Sequence, residues 1–200
     1  MVSLGYLDSL SGALSQSLDA SIPLGKLKPG FEYIFIEIDG RKTFMALGSR
    51  QEVTEAGQLL VHERWYNSQR EMIHMINGRI HTALGLTIEW RRQRSAPPSW
   101  QSLSGTSEPV VWQRELDIMP GYRFGQTDRI ESRASYAPKS APPHTVGTLW
   151  FTDNVRSTHL LGGDWLYQQH FAIKQGRVVY SEQCLSPSVC FKFKHLGMVQ

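Results

Sequence analysis

No apolar run in these 200 residues approaches the roughly eighteen that a membrane-spanning helix requires. Cysteine is scarce: Cys184 and Cys190 are too far apart for a Cys-x-x-Cys redox motif and are not spaced as a usual zinc pair. Neither sign of charge dominates, with 21 Lys and Arg against 18 Asp and Glu for a net charge of +3, so nothing argues for nucleic acid as a partner. The amino terminus lacks the basic, apolar and small-residue succession of a secretory signal, which leaves a cytosolic protein or one whose signal has been removed. Gly-x-Gly-x-x-Gly, the Gly-Lys-Ser/Thr phosphate loop, His-Glu-x-x-His and Gly-x-Ser-x-Gly are all missing. The common cofactor classes thereby lose their signatures, and no cofactor, metal or catalytic residue is assigned.

What is present has the balance of a globular protein, 40% hydrophobic and 20% charged. Splitting the chain in two would leave halves near the lower end of stable domain size, so residues 1–200 are expected to form a single domain. Leu4, Leu7, Leu10, Leu14 and Leu18 recur every three or four residues behind Ser3, the pattern of an amphipathic helix over 1–22 capped by that serine. Past Pro29-Gly30 the period changes to two, with Glu32, Ile34, Ile36 and Ile38 on one face and Phe31, Tyr33 and Phe35 on the other. Asp39-Gly40 has turn chemistry, and Thr43 to Leu47 returns as the partner strand.

Strand-like runs continue over Leu59 to Trp65 and Glu71 to Ile76, and Arg79 to Trp90 reads as one long strand leaving an Asn77-Gly78 turn. Arg94 to Pro109 is rich in Ser, Pro and Gly and reads as a surface loop. Further runs follow at Trp112 to Ile118, Asp128 to Tyr136, Thr145 to Thr152, Trp165 to Ile173, Arg177 to Glu182 and Val189 to Leu196. The fold class is therefore mainly β, an antiparallel meander of about ten strands over 31–196. Accumulated strand twist curls so large a sheet, and a half-barrel is expected with the amino-terminal helix in its concavity.

Few residues suggest chemistry. Glu115 and Asp117 share a strand face at a spacing that a glycosidase pair could use, although carboxylates two apart on a solvated strand are ordinary. Asp153 and Asp164 sit beside turn residues that account for them. A two-residue turn at Asn77-Gly78 pairs His74 with His81, offering two metal ligands where zinc wants three or four; the other five histidines form no cluster. Cys184 and Cys190 flank a Ser-Pro turn across which a disulfide is expected in an oxidising compartment and two thiols in a reducing one. Arg91-Arg92-Gln93-Arg94 is the one dense basic cluster and reads first as a solvated strand end. Among six tryptophans, Trp112 and Trp165 belong to packing, and Trp100 is an exposed ring or a lid over the barrel end.

The segments Ile76-Asn77-Gly78-Arg79-Ile80 and Trp112 through Asp117, Pro120-Gly121-Tyr122-Arg123 to Gly125 resemble the YjbF/GfcB family of exopolysaccharide and group-four-capsule lipoproteins. Trp65-Tyr66-Asn67-Ser68, the set Arg79/Thr82/Gly85/Leu86 and Trp150-Phe151-Thr152-Asp153 add to the likeness, which spans Phe31 to Val179. The resemblance implies a non-enzymatic periplasmic protein anchored to the outer membrane by a lipidated Cys. Its partners would be other envelope proteins of polysaccharide production or export, and the polysaccharide itself. No Cys precedes Cys184, and on this resemblance Met1 would stand in place of that anchor; the Cys184/Cys190 pair and the loop around Trp100 also depart from the pattern. Arg79, Trp112, Asp117, Tyr122 and Arg123 are the positions singled out, as a polar rim beside two turns, with turn-setting and core packing as the competing account. Two other classes remain: a hydrophobic-ligand carrier, requiring a dry cavity lined by Ile34, Ile36 and Phe44, and a polysaccharide-cleaving enzyme, requiring paired carboxylates in a cleft.

Overall fold

The computed structural model describes residues 27–38, 40–55, 57–95, 97–157, 165–186 and 188–199. The helix expected over 1–22 lies outside the described residues. Twelve strands follow one another: β1 (Glu32–Ile38), β2 (Arg41–Glu55), β3 (Gln58–Tyr66), β4 (Met72–Ile76), β5 (Arg79–Leu84), β6 (Glu89–Ser95), β7 (Val110–Met119), β8 (Arg123–Ser135), β9 (Leu149–Ser157), β10 (Trp165–Lys174), β11 (Arg177–Ser186) and β12 (Val189–Met198). A short helix α1 (Trp100–Ser104) lies between β6 and β7, and one 3-10 turn (Pro143–Thr145) precedes β9.

Every strand pairs antiparallel with its neighbours in sequence, and β1 also pairs with β12, with Ile36 opposite Phe193 and Ile38 opposite Phe191. The barrel is thus closed, and the expected half-barrel is corrected. Both edges of β1 carry ladder hydrogen bonds, so the curling that twist begins ends in closure and leaves no free edge. Two further expectations change. The long strand over Arg79 to Trp90 is broken into β5 and β6, joined in the ladder only at Ala83 and Trp90. The loop over Arg94 to Pro109 contains α1, capped by the Ser99 hydroxyl accepting from Ser102 N at 3.0 Å.

A barrel of about eight strands is just wide enough for side chains to fill, so twelve strands need more. Here opposite walls touch. The tip between β4 and β5 meets β11 so closely that a Cβ on Gly78 would lie 2.2 Å from Val178 Cγ2. The Ile80 N–H donates to Gln183 Oε1 and Gln183 Nε2 donates to Gly78 O, both at 2.9 Å, while Trp90 Nε1 donates to Leu185 O at 3.2 Å. These bonds cross the lumen between strands that are not neighbours in the sheet. They also give a partner to an N–H that the thin β5–β6 ladder would leave unmet.

Around them Ile34, Ile36, Met45, Trp65, Ile73, Trp90, Leu116 and Phe191 form the main core. A second core of Trp100, Leu103, Phe151, Phe171 and Ile173 is completed by α1. Trp100 is 8% exposed. Of the two expectations for it the exposed ring is corrected, because its indole is needed to fill one end of the barrel. Phe44 stands opposite Phe35 with ring centroids 5.5 Å apart, on the face away from Ile34 and Ile36. The cavity that Ile34 does line, with Trp65 and Phe193, holds about 20 Å³, far below the roughly 300–1,000 Å³ of a small-molecule pocket.

Gly78 sits at φ +77° with no room for a methyl group, whereas Gly176 has the same φ and open space around it. Gly78→Ala is expected to cost about 2–4 kcal/mol, left-handed backbone plus overpacking, and Gly176→Ala about 1 kcal/mol. Urea unfolding of the two variants measures the difference, and equal losses would refute the contact between walls.

Candidate functional site

Arg79 opens β5 facing inward and is 5% exposed; Asp153 in mid-β9 is 0% exposed. Their contact is bidentate, Nε to Oδ2 at 2.8 Å and Nη2 to Oδ1 at 3.2 Å. Ser132 Oγ donates to Asp153 Oδ1 at 2.5 Å and itself accepts from Trp112 Nε1 at 2.8 Å. The guanidinium lies 3.7 Å from the Trp100 ring centre, with Phe171 at 5.2 Å and Trp112 at 5.7 Å. Trp100 Nε1 in turn donates to Asn77 O at 2.9 Å. Asp153 is not a turn residue, as its sequence neighbours suggested, but the buried counter-ion of Arg79; Asp164 lies outside the described residues.

A second inward pair adjoins it. Arg114 Nε donates to Asp128 Oδ2 at 2.7 Å, Arg114 Nη2 to Tyr167 Oη at 2.5 Å, and the guanidinium lies 4.4 Å from the Trp90 ring centre. Burial opposes the Arg114 charge, but Tyr167, Asp128 and Asp153 outweigh it and raise its pKa. Burial raises the Tyr167 phenol, keeping it protonated. Toward one end of the barrel a third group gathers, with Glu32 accepting from Arg50 at 2.7 Å and from Arg177 at 2.8 Å. Burial raises the Glu32 pKa, yet the hydrogen bonds from the two arginines bring it down to about 2. His195 Nε2 is 2.6 Å from Glu32, and burial depresses the imidazole pKa despite that carboxylate.

The five expected rim residues do not form one rim. Arg79 and Trp112 meet inside the barrel. Asp117, Tyr122 and Arg123 belong to the β7–β8 turn, where Asp117 accepts from Gly125 N at 3.0 Å and Tyr122 is 74% exposed. Glu115 is on the outer wall with Asp117, and the register sets Arg94 opposite Glu115. Cys184 and Cys190 are joined in a disulfide across the β11–β12 hairpin.

His74 stands opposite Thr82, not His81, because a bulge after His74 shifts the register by one residue. The rings still lie close, 4.9 Å between centroids, and His62 from β3 joins them with Nδ1 at 3.1 Å from His74 Nε2. This three-histidine row was illegible in sequence, since it needs the β3–β4 register to bring His62 beside His74. His62 and His74 stack and His81 is tilted against His74, and among the described residues no group of three or more His, Cys, Asp or Glu is arranged to hold a metal. Burial, then the neighbouring His81, Arg64 and His62, lowers His74 to about 4.

One concavity of about 480 Å³ opens on the outer wall of β8, β9 and β10, lined by Arg129, Glu131, Asn154, Arg156, Leu166 and Gln168. Sequence reasoning missed it entirely, because its residues come from three strands and none of them stands in a motif.

Among the described residues the barrel is a closed antiparallel meander with Arg79–Asp153 and Arg114–Asp128 paired inside it, and the concavity of about 480 Å³ faces outward. The chain belongs to the family described as Group 4 capsule polysaccharide lipoprotein gfcB, YjbF, which matches residues 31–193. Its fold is similar to that in the crystal structure of the hypothetical lipoprotein YmcC from Escherichia coli (K12), with a TM-score of 0.64, 14% identity and 100% of both chains covered. No curated protein matches it.

Removing one member of the Arg79–Asp153 pair leaves a buried charge unpartnered, so Arg79→Ala and Asp153→Ala are each expected to cost about 3–5 kcal/mol. The double variant should lose far less than their sum, and additive losses in a double-mutant cycle would show that the pair is not coupled. His74 and His144, both held near 4 against an ordinary 6.5, resist protons that the unfolded chain accepts. Stability is therefore full above pH 6.5 and falls as pH drops toward 4; Glu32 adds a further loss between 4.5 and 2. Chemical denaturation from pH 7.5 to 4 should show a falling midpoint, with a shallower fall in His74→Gln; a flat profile would refute it.

Proposed function

We propose that this chain is a non-enzymatic, periplasm-facing component of the bacterial envelope, held at the outer membrane by a lipid anchor, that assists production or export of an extracellular or capsular polysaccharide. The observation that carries this reading is the family match over residues 31–193, whose description joins lipoprotein and capsule polysaccharide. The Cys184–Cys190 disulfide supports an oxidising compartment. The packed lumen directs attention to the outer wall and the turns as the surfaces that meet other envelope proteins or polymer. In support of a non-catalytic role, Asp128 and Asp153 are committed to arginines, and Asp117 is committed to its turn. The carrier reading finds no support, because Ile34 and Ile36 are packed side chains and the cavity beside them holds about 20 Å³.

Deleting the gene should remove most cell-surface polysaccharide, and both the wild-type chain and the double variant Glu115→Gln/Asp117→Asn should restore it. Unchanged polysaccharide after deletion would overturn the proposal, and failure of the double variant alone would return the cleaving-enzyme reading. In cell fractions, Cys184 and Cys190 should resist alkylation until reduced.

A further inference from the structure

Odd-numbered strands run away from the end at which residue 27 enters the barrel, and even-numbered strands return to it. Phe31 before β1, Leu59 at the start of β3, Tyr136 after β8, Val146 and Leu149 leading into β9 and Met198 at the end of β12 therefore share one rim. All six are exposed, Tyr136 at 96% and Val146 at 84%. The ladders hold them in place. Gly30 N donates to Val199 O at 2.8 Å and Val199 N to Phe31 O at 3.0 Å, which sets Met198 beside Phe31, and the Ser135–Trp150 pair leaves Tyr136 next to Leu149. Burial was open to some of them: Ala141, between Tyr136 and Val146, packs against Trp150 and Tyr180, yet the loop leaves both larger side chains outside. Single exposed apolar residues are ordinary, but a rim of them at one end of a barrel marks an interaction surface. Among the described residues the far end exposes fewer, Tyr66, Tyr122, Phe124 and Leu166.

We propose that this rim rests in the interfacial layer of a lipid bilayer, so that the barrel stands on the membrane by the end at which its chain enters; the inference rests on the lipid-anchored reading above and adds an orientation and a contact face to it. A tether amino-terminal to residue 27 leaves from this rim, which makes it the near face and holds it at high effective concentration over the lipid. The apolar side chains are spaced around the barrel instead of gathered in one groove, an arrangement that a fluid planar surface meets more readily than a folded partner does. With each of the twelve strands paired on both sides, no ladder is on offer to another protein. Tyr136 has the form that favours a membrane interface, an apolar ring with a polar tip. Lys28, Lys139 and Lys174 share this end with Glu52, Glu55 and Glu108, all exposed, so both signs of charge are present and apolar burial carries the contact.

Amide hydrogen exchange tests the inference, comparing the whole chain free in solution with the same chain held on phosphatidylethanolamine/phosphatidylglycerol vesicles through an amino-terminal hexahistidine and a nickel-chelating lipid. Amides in the segments carrying Leu59 and Tyr136 should exchange about fivefold or more slowly on the vesicles, and those around Tyr122 at an unchanged rate. The triple variant Leu59→Ser/Tyr136→Ser/Leu149→Ser should lose the protection and Phe124→Ser should keep it, with slow exchange in β12 showing that each variant is folded. Tyr136→Ser alone should weaken the protection about twofold, and it replaces the triple variant if that one unfolds. Raising the salt to about 0.5 M should leave the protection in place, since apolar burial is not screened. Rim exchange that is the same with and without vesicles overturns the inference. So does equal protection around Tyr122, protection that survives the rim substitutions, or protection lost in salt. Loss of polysaccharide on gene deletion with no rim protection would sink the docking face alone; unchanged polysaccharide on deletion would sink the envelope reading itself.

Discussion

Among the described residues, the bidentate contact between Arg79 and Asp153 ties together five elements of this barrel. It joins the start of β5 to the middle of β9, draws in Ser132 and Trp112 from β8 and β7, and supplies the cation on which Trp100 of α1 lies. Two charges taken out of water cost several kcal/mol each, and only a partner with good geometry and satisfied lone pairs offsets that cost. Such a pair therefore fixes position more than it adds stability. It tolerates one arrangement of five elements, where an apolar contact would accept several.

That specificity answers a problem of size. Twelve strands enclose more space than aliphatic side chains fill, and the chain solves it by bringing opposite walls into contact at Gly78 and Val178, bridging them through Gln183, and closing one end with Trp100 and Leu103. The lumen is left without room for a ligand of useful size beside Ile34. Charge that would otherwise be stranded inside is paired at Arg114–Asp128 and Glu32–Arg50. Chemistry available to other molecules is displaced to the outer wall and to turns such as the one bearing Tyr122. The chain belongs to a family described by capsule polysaccharide and lipoprotein, and among its described residues the inside serves architecture.

Period-two patterning placed most strands, because alternation is a local property: β1, β7, β10, β11 and β12 begin or end within a few residues of where the apolar alternation does. The Asn77-Gly78 hairpin was legible for the same reason, its positive φ angles being a demand that Asn and Gly meet locally. The break between β5 and β6, the bulge that moved His74 opposite Thr82, and the helix within a polar loop were not legible, since each depends on what the segment packs against. The candidate rim fared similarly. Arg79 and Trp112 were picked out of motifs and do meet, but inside the barrel, while Asp117, Tyr122 and Arg123 serve a turn elsewhere.

By itself the sequence determined an antiparallel meander, its principal turns and a resemblance to capsule lipoproteins, all of which reside in short windows of residue type and spacing. The tertiary structure alone decided that the meander closes, because the β1–β12 ladder joins residues about 160 apart and no local pattern encodes that pairing. It also decided which charges are hidden and which are offered. Asp153 and Glu131 both carry a carboxylate, and only the closed wall sends one inward to Arg79 and the other outward beside Arg129.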